Sequence, residues 1–513
     1  MIRLPSHGAS ASAREHDLER ENQRLRQENS LLWEQLRLLR AQRFGTSSEQ
    51  HPPPDQLGLF NEAEAKATVP ADAPPETVTV GTHQRAKRGR RPLPEDLERV
   101  AIVHDLDDEA KICPHDGHAL VRIGEQVAEQ LDIIPARLRV LRHIRPQYAC
   151  PHCEQGVRIA PPPAQILPKT QASAGLLAHV VMAKYADALP LYRQSQIFKR
   201  LGLELDRATL SNWIVGLGSA LQPLANLLHE QLLSGEILQM DETPVQVLKE
   251  PGRKATSPSY MWVMRSVAVE RPLVLFRYDP SRAGSVPVRL LEGFHGSLQT
   301  DGYDAYQQVI RTHSLIGLGC WAHVRRKFDE ALKAMKDKPP DSLAAQALET
   351  IQRLYRIEAE GRALSFEERY RARQARSRPL LDELRQWLDE VRPTVPPRTL
   401  IGKALGYLHD QWPRLIRYCD DGRYEIDNNA CERQIRPFTT GRKNWLFANS
   451  VRGANASAIL YSLIESAKAN EIDPYRYLRH LFTALPRATT VEQIEALMPN
   501  RIDPQHLPAI DQL

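Results

Sequence analysis

The stretch Ile237-Leu-Gln-Met-Asp-Glu-Thr-Pro244 begins with mostly apolar residues and then turns acidic. Similar strand-like runs follow at Tyr260-Met-Trp-Val-Met264 and Leu273-Val-Leu-Phe276, and β-branched and aromatic residues favour this conformation. Residues 321–390 are instead rich in Arg, Glu, Leu and Ala, which favour helices. Strands combined with such helices predict a multidomain α/β protein whose core carries a helical insertion.

Three acidic residues are distinguished by their positions. Asp241 closes the first strand-like run, and Asp301, in Thr300-Asp-Gly-Tyr303, also lies where a strand should end. Glu432 lies in Asp427-Asn-Asn-Ala-Cys-Glu-Arg433, which predicts a short helix capped by Asp427 or an adjacent Asn and ended by Pro437. Acids at strand ends are costly unless they bind something. Clustered carboxylates hold the two Mg²⁺ ions of phosphodiester cleavage about 4 Å apart.

Composition sets broad limits on the rest of the chain. Its 513 residues are 42% hydrophobic and 26% charged, which is enough for several folded domains. Lys and Arg number 68 against 63 Asp and Glu, a net charge of +5, so the clustering of basic residues says more than their sum. Six cysteines are too few for a disulfide scaffold, and no apolar run reaches about 18 residues. We expect a cytoplasmic protein without membrane spans.

Residues 14–43 predict one charged helix. Leucine recurs there every seven residues, at Leu18, Leu25, Leu32 and Leu39. If these are d positions, Asn22 and Asn29 fall at a, a pattern typical of parallel two-stranded coiled coils in which buried asparagine fixes the register. We therefore predict self-association through this helix, with a solvated helix carrying a leucine stripe as the alternative.

Residues 44–98 are polar and proline-rich, which predicts a disordered linker. The linker contains the basic run Arg85-Ala-Lys-Arg-Gly-Arg-Arg-Pro92. Extended Arg-Gly-Arg segments can lie in an A·T-rich minor groove, so Arg88, Arg90 and Arg91 are candidate DNA contacts. The alternative is a solvated run of charges.

Residues 99–163 resemble a zinc-finger-like unit. Cys150-Pro-His-Cys153 is a Cys-x-x-Cys pair, and Cys113-Pro-His-Asp116 lies upstream of it. Two short-spaced ligand pairs, tens of residues apart, are how small structural Zn²⁺ sites are built. Position 116 is Asp where a second Cys would be expected, so the fourth ligand is Asp116, His115 or His118. A unit that has lost its metal is the alternative.

Residues 164–233 predict a helical region. Within it, a segment from Ser195, a turn at Gly202 to Leu205, and a second helix from Asp206 to Leu217 resemble a helix-turn-helix. Asp206 is expected to cap the second helix. A pair of ordinary core helices is the alternative.

Several long motifs in this order resemble transposases of the insertion-sequence-66 family. The resemblance covers nearly the whole chain, and its most specific stretches are Asp427-Asn-Asn-Ala-Cys-Glu-Arg433, Gly441-Arg-Lys-Asn-Trp-Leu-Phe447, Cys320-Trp-Ala-His-Val-Arg-Arg-Lys-Phe328 and Tyr461-Ser-Leu-Ile-Glu-Ser-Ala-Lys468. Asp116 departs from a four-cysteine finger, which affects the zinc ligand set and not the family.

The resemblance implies a ribonuclease-H-like catalytic domain over residues 234–470, with a helical insertion at about 329–425 and a helical tail at 471–513. It also implies a catalytic triad of Asp241, Asp301 and Glu432 that binds two Mg²⁺ or Mn²⁺ ions. The expected reaction is strand cleavage at the element ends and transfer to target DNA, with small accessory transposition proteins as further partners. Glu242 and Asp304 are weaker candidates for the acidic site.

Basic residues near these motifs are candidates for DNA phosphate contacts: His323, Arg325, Arg326, Arg433, Arg436, Arg442 and Lys443. For the first three, a surface helix face is the alternative. Trp445 has two interpretations, stacking on a DNA base or burial in the core. The competing function for the whole chain is a non-catalytic DNA-binding protein derived from a transposase, which would keep the N-terminal parts and lose an acid.

Overall fold

A computed structural model describes residues 8–44, 77–80, 83–86, 99, 138–148, 158–335 and 339–508. The chain divides into two units, Val69–Val140 and the remainder. In the smaller unit, β1 (Thr77–Val80) and β2 (His83–Ala86) pair antiparallel. This hairpin lies in the segment that we predicted to be disordered, so that prediction was wrong for these two strands. The alternating Thr-Val-Thr-Val of β1 favours a strand despite the nearby prolines.

The larger unit begins with one long helix, α1 (Gly8–Phe44), as predicted for residues 14–43. Its heptad leucines are exposed: Leu25 by 51%, Leu32 by 60% and Leu39 by 61%. A different face of α1 lies against the same unit, because the Glu34 carboxylate accepts a hydrogen bond from the backbone N–H of Leu400 at 3.2 Å. Docking therefore leaves the leucine stripe uncovered.

A short antiparallel pair, β3 (Gln147–Tyr148) and β4 (Arg158–Ile159), leads into four helices. These helices fall where the sequence predicted them: α2 (Ala174–Tyr185), α3 (Leu191–Arg200), α4 (Arg207–Ala220) and α5 (Gln222–Leu233). Asp206 occupies the N-cap position of α4 in an extended conformation, but its side chain makes no capping hydrogen bond, unlike our prediction.

A mixed sheet forms the centre of the larger unit, in the order β7–β6–β5–β8–β9. Its strands are β5 (Ile237–Lys249), β6 (Pro258–Ser266), β7 (Val274–Asp279), β8 (Ser297–Gln299) and β9 (Ile316–Leu318). The first three form an antiparallel meander, whereas β8 and β9 run parallel to β5. Helices α6 (Ser285–Leu290) and α7 (Asp304–Thr312) precede and follow β8. The three strands predicted from apolar runs are confirmed.

The segment after β9 is helical and has its own core. It comprises α8 (Trp321–Ala334), α9 (Leu343–Glu360), α10 (Phe366–Ala372), α11 (Arg378–Val391) and α12 (Leu400–Leu415), with a π-helical turn at Arg373–Ser377 and 3₁₀ turns at Gly361–Ala363, Arg392–Thr394 and Ile416–Cys419. Arg373 is fully buried and donates to Glu358 and to the carbonyl of Tyr418. Because a buried charge needs such partners, this arginine holds the helices together.

The chain returns to the sheet through α13 (Asn429–Trp445) and β10 (Ala448–Ser450), which pairs parallel with the far end of β5. Our prediction that the first helix ends at Pro437 was wrong, because α13 continues eight residues past it to Trp445. A proline inside a helix costs about 3 kcal/mol. Burial of Ile435 and Phe438 on either side of it offsets that cost.

Helices α14 (Val451–Ala469), α15 (Pro474–Ala484) and α16 (Val491–Glu495) complete the unit, with 3₁₀ turns at Leu485–Arg487 and Pro504–His506. Helix α14 covers edge strand β7: the hydroxyls of Ser462 and Ser466 accept the backbone N–H groups of Phe276 and Val274. An uncovered strand edge invites pairing with other chains, and these bonds remove that edge. Among the described residues, no helix combines the length and apolar character that a membrane span requires.

Candidate active site

We predicted that Asp241 lies at the end of a strand. It lies instead inside β5, because β5 continues to Lys249. The parallel pairing between β5 and β8 nevertheless stops at Gln239, two residues before Asp241. Among the strands of the described residues, β5 pairs in parallel again from Val247 onward, with β10. Asp241 therefore occupies a gap in the sheet on the β8 side, where its carboxylate can meet other groups.

Asp301 follows β8 after a single residue, Thr300. Its Oδ1 accepts the backbone N–H of Tyr303 at 2.9 Å, which fixes the turn into α7. Because β5 and β8 are parallel neighbours, the carboxyl end of β8 brings Asp301 to the same edge of the sheet as Asp241.

Glu432 sits in the first turn of α13 and is only 3% exposed. The helix start is held by Asp427, whose Oδ1 accepts the N–H of Asn429 at 3.0 Å and whose Oδ2 accepts the Tyr355 hydroxyl at 2.7 Å. Asn428 occupies the N-cap position and makes no side-chain capping bond, while Asp427, one residue earlier, accepts the N–H of Asn429; the sequence had left both residues open as the cap.

Two buried glutamines connect the three elements that carry these acids. Gln239 of β5 donates to the side-chain oxygen of Gln299 of β8 at 2.8 Å and to the carbonyl of Asp427 at 3.0 Å. The side-chain oxygen of Gln239 accepts the N–H of Cys431 at 3.2 Å. Gln239 and Gln299 each lie two residues before an aspartate, and Cys431 directly precedes Glu432. The network therefore sets the relative positions of the three carboxylates.

Sequence reasoning missed this pair of glutamines, although a signal was present. Leu238-Gln-Met-Asp241 and Leu298-Gln-Thr-Asp301 share the pattern Leu-Gln-x-Asp. A polar residue repeated at the same offset inside two apolar strands indicates a buried partner, since unpaired polar groups are rarely tolerated there.

Burial raises the pKa values of all three acids, and repulsion from neighbouring carboxylates adds to the rise for Asp241 and Glu432. Burial, followed by the charges of Glu242, Glu432 and Asp301, places the pKa of Asp241 well above its usual value. Burial also raises the pKa of Asp301, against the opposing effect of the Tyr303 N–H. The pKa of Glu432 rises to about 7, mainly through burial, with Asp427 and Asp301 adding to the rise and Arg326 opposing it. Without a bound cation, the cluster resists full ionisation.

Glu242, the weaker acidic candidate, has both carboxylate oxygens engaged. Arg282 donates to Oε1 through its Nε at 2.8 Å, and the Tyr306 hydroxyl donates to Oε2 at 2.5 Å. Arg282 also lies over the Tyr303 ring, 3.9 Å from the centroid. Asp304, the other weak candidate, is exposed in the first turn of α7.

Helix α8 supplies the basic side of the site. Arg326 lies 3.6 Å from Glu432 Oε2, and His323 Nδ1 lies 3.7 Å from Glu432 Oε1 and 3.2 Å from the Cys320 sulfur. Burial, with Arg326 and Lys327 nearby, lowers the pKa of His323 to about 3, so the ring is neutral at physiological pH. Of the residues that we predicted to contact phosphates, His323 and Arg326 thus face Glu432, and Arg325 lies half-buried on the same helix.

The environment of Glu432 fits a cation. Its Oε1 and the Oδ1 of Asn428 are buried oxygens that lack hydrogen-bond partners. The side-chain nitrogen of Asn428 donates to the Met240 carbonyl at 3.1 Å, which fixes the direction of that free oxygen. Within the described residues, the ligand atoms of Cys320, His323 and Glu432 lie within 4.8 Å of one another, a set whose sulfur and nitrogen suit a softer ion such as Zn²⁺. Buried oxygens without partners are what a hard divalent ion requires.

The remaining predicted DNA contacts are distributed along α13 or lie outside the described residues. Arg442 donates to Thr243 Oγ1 at 3.2 Å and to the Pro244 carbonyl, so it ties α13 to β5. Arg433 and Lys443 are exposed, whereas Arg436 is half-buried. Trp445 is half-buried and packs edge-on against Phe438, 5.5 Å between ring centroids. Outside the described residues lie Arg88, Arg90, Arg91, Cys113, Asp116, Cys150 and Cys153.

Family models match most of the chain. The model described as Transposase IS66 family matches residues 169–456, and the zinc-finger binding domain of transposase IS66 matches residues 110–154. The IS66 C-terminal element matches residues 462–499, and a model described as Transposase C of IS166 homeodomain matches residues 31–102. The zinc-finger match supports a structural Zn²⁺ unit in that part of the chain.

Relatives in Sinorhizobium fredii align over nearly the full length. The uncharacterized protein y4jD is 36% identical over 479 residues, which cover 90% of this chain and 92% of the relative. The uncharacterized protein y4qI is 34% identical over 434 residues, which cover 82% and 79% respectively. With the site geometry and the family models taken together, the chain belongs to the IS66 family of transposases.

Proposed function

We propose that this transposase cleaves DNA strands at the ends of its element and joins them to target DNA, with Asp241, Asp301 and Glu432 as its metal-binding acids. The observation that carries the proposal is the electrostatic coupling of three carboxylates from β5, the end of β8 and α13, of which Glu432 is buried and the two aspartates are half-buried. Glu432 and Asp301 raise the pKa of Asp241, and Asp301 raises that of Glu432. Like charges placed together in a core are costly, and divalent cations remove that cost.

The core is, in this proposal, ribonuclease-H-like. The sheet order β7–β6–β5–β8–β9, with an antiparallel meander followed by two parallel strands, supports it. The acids also lie where such a fold would use them, on the central strand and at the carboxyl end of its parallel neighbour.

Asp241, Asp301 and Glu432 would hold two Mg²⁺ or Mn²⁺ ions, with the free Asn428 oxygen beside Glu432. Divalent ions supply an activated attacking hydroxyl and stabilise the leaving oxygen. Arg326 lies 3.6 Å from Glu432 and balances charge there, so a phosphate can enter without facing uncompensated carboxylates. His323, neutral at physiological pH, adds no further positive charge beside the metal ligands.

The N-terminal parts would provide DNA binding and pairing of subunits. We assign a structural Zn²⁺ site to Cys113, Asp116, Cys150 and Cys153, supported by the family match over residues 110–154. Arg88, Arg90 and Arg91 would contact the DNA minor groove. Helix α1 would pair two copies through Leu25, Leu32 and Leu39, since their exposure leaves the stripe available while Glu34 is engaged on another face.

Replacing Leu25 and Leu32 with Lys should reduce the dimer to a monomer, because two charges would be buried at adjacent d positions. Light scattering coupled to size exclusion measures the mass. The control carries Gln23→Lys and Ser30→Lys, which add the same charges at outward b positions of the same heptads. Wild-type mass in the leucine variant, or equal loss in the control, would rule out pairing through this stripe.

Asp301→Asn and Glu432→Gln should each reduce end cleavage by at least about a hundredfold while DNA binding persists, because each removes a metal ligand and leaves the fold intact. The assay uses labelled DNA bearing the element ends, with Mg²⁺, in the presence and absence of accessory proteins. Asp304→Asn is the matched control, since this exposed acid lies three residues from Asp301.

Cleavage by the wild type that survives in both site variants would refute this triad. If the wild type binds DNA and no condition yields cleavage, the chain is instead the non-catalytic DNA-binding protein considered as the competing function.

The raised pKa of Glu432 predicts a pH-dependent metal affinity. Its folded-state value of about 7 exceeds the usual 4.5, so metal-free stability falls as pH rises through that window. Cations bind the ionised form, so Mn²⁺ should bind at least about tenfold more weakly at pH 6 than at pH 8. Calorimetric titration measures this, and Glu432→Gln should flatten the dependence. Equal wild-type affinity at both pH values would contradict the assignment.

A further inference from the structure

Helices α3 and α4 form a hairpin whose shape is fixed independently of the acidic site. Gly202 adopts a positive φ of 83° in the turn, where an added Cβ would meet no atom but would strain the backbone. The Ser195 hydroxyl donates to the Leu205 carbonyl at 2.6 Å across the turn, and the N–H of Leu203 donates to the Phe198 carbonyl at 2.9 Å. The two helices are therefore held in one defined arrangement.

One face of α4 packs against the hydrophobic core. Leu210, Ile214 and Leu217 are buried, and Gly218 lies so close to Ala456 of α14 that a Cβ there would approach it to 2.5 Å. This contact anchors the C-terminal half of α4 on α14, so the N-terminal half has a fixed outward orientation.

The outward stripe of α4 consists of Arg207, Ala208, Ser211 and Asn212, all exposed. These positions are spaced i, i+1, i+4 and i+5, so they form one continuous surface. In the part of the chain that the structure describes, the side chains of Arg207, Ser211 and Asn212 make no hydrogen bond or ion pair. The polar atoms of these three side chains are therefore available to hydrogen-bond a ligand.

The chemistry of this stripe matches the edges of DNA bases. In the major groove, Arg pairs with guanine, Asn with adenine, Ser with either, and a small apolar side chain such as Ala contacts the thymine methyl group. Recognition helices place these contacts in their N-terminal residues, which is where the stripe lies.

The preceding helix has the charge that a DNA backbone requires. Arg193, Lys199 and Arg200 of α3 are exposed, and the acids near the turn are Glu204, 3.9 Å from Lys199, and the N-cap residue Asp206. In helix-turn-helix proteins, the first helix crosses the phosphate backbone while the second enters the groove. In such a complex, α3 would contact the DNA phosphates and α4 would contact the bases.

We propose that α3 and α4 form a helix-turn-helix that reads a short base sequence in the major groove, with Arg207, Ser211 and Asn212 contacting base edges. The inference rests on the proposed function only in that DNA is the substrate. It adds a sequence-reading surface separate from the acidic site, through which the protein would distinguish its element ends from other DNA.

The test is selection of binding sites by the full-length protein from a duplex library with roughly 20 randomised base pairs, two turns of DNA. Divalent metal is omitted, so the outcome does not depend on cleavage or on the acidic triad. Wild type should enrich a defined motif. Arg207→Ala with Asn212→Ala should lose the preferred base at one or more positions and reduce discrimination against a scrambled duplex by at least about tenfold.

Two control variants make the result specific. Gln222→Ala with Asn226→Ala, on α5, should enrich the wild-type motif. Arg193→Gln with Arg200→Gln should keep that motif but lower the slope of log affinity against log salt by about 2, one unit for each lost phosphate contact.

The proposal is overturned if the Arg207 and Asn212 variant, folded as judged by its thermal unfolding, enriches the wild-type motif. It is also overturned if the wild type enriches no motif. Loss of cleavage in the Asp301→Asn variant with the motif retained would separate the two proposals, because the acidic site and the sequence-reading surface would then have been shown to act independently.

Discussion

Two buried glutamines, Gln239 on β5 and Gln299 on β8, are hydrogen-bonded to each other at 2.8 Å, and the candidate site is built around that bond. Gln239 also bonds Asp427 and Cys431 at the start of α13, and Gln299 donates to the carbonyls of Gly319 and Glu425 at 3.0 and 2.7 Å. Buried amides that satisfy several groups at once are rigid, because each lost bond would leave a polar atom unpaired. The strands and the helix consequently cannot shift independently.

This rigidity holds the three carboxylates together despite their mutual repulsion. Asp241, Asp301 and Glu432 repel one another in a partly buried site, and a flexible core would relieve that repulsion by moving them apart. The network prevents such movement, so the strain appears instead as raised pKa values and as buried oxygens without partners on Glu432 and Asn428. Both features are costly without a bound cation, which is why we propose that divalent ions occupy the site. Arg326 beside Glu432 and Arg282 beside Glu242 lower the electrostatic free energy of the clustered carboxylates.

The sequence predicted much of the fold, and its choice of Asp241, Asp301 and Glu432 as the catalytic acids stays a prediction. Apolar runs predicted β5, β6 and β7, and the heptad leucines predicted α1. These predictions succeeded because each pattern depends only on residues that are neighbours in the sequence. The continuation of α13 past Pro437 was missed, since it depends on tertiary burial of Phe438. The continuation of β5 beyond Asp241 was missed because pairing stabilises it. Its far half pairs with β6, and its last residues pair with β10, which lies more than 190 residues further along the chain. The glutamine network and the neutral His323 likewise arise from contacts between distant segments, which periodicity does not encode.

The most direct measurement is the Mn²⁺ affinity of Gln239→Leu, a change that keeps side-chain size and removes the hydrogen bonds. If the network positions the acids, affinity should fall by about 10- to 100-fold, as for other residues that orient metal ligands. Gln246→Leu, an exposed position of the same strand, should bind Mn²⁺ like the wild type. A folded Gln239→Leu protein with wild-type affinity would contradict the account, because the carboxylates would then converge without the network that we hold responsible.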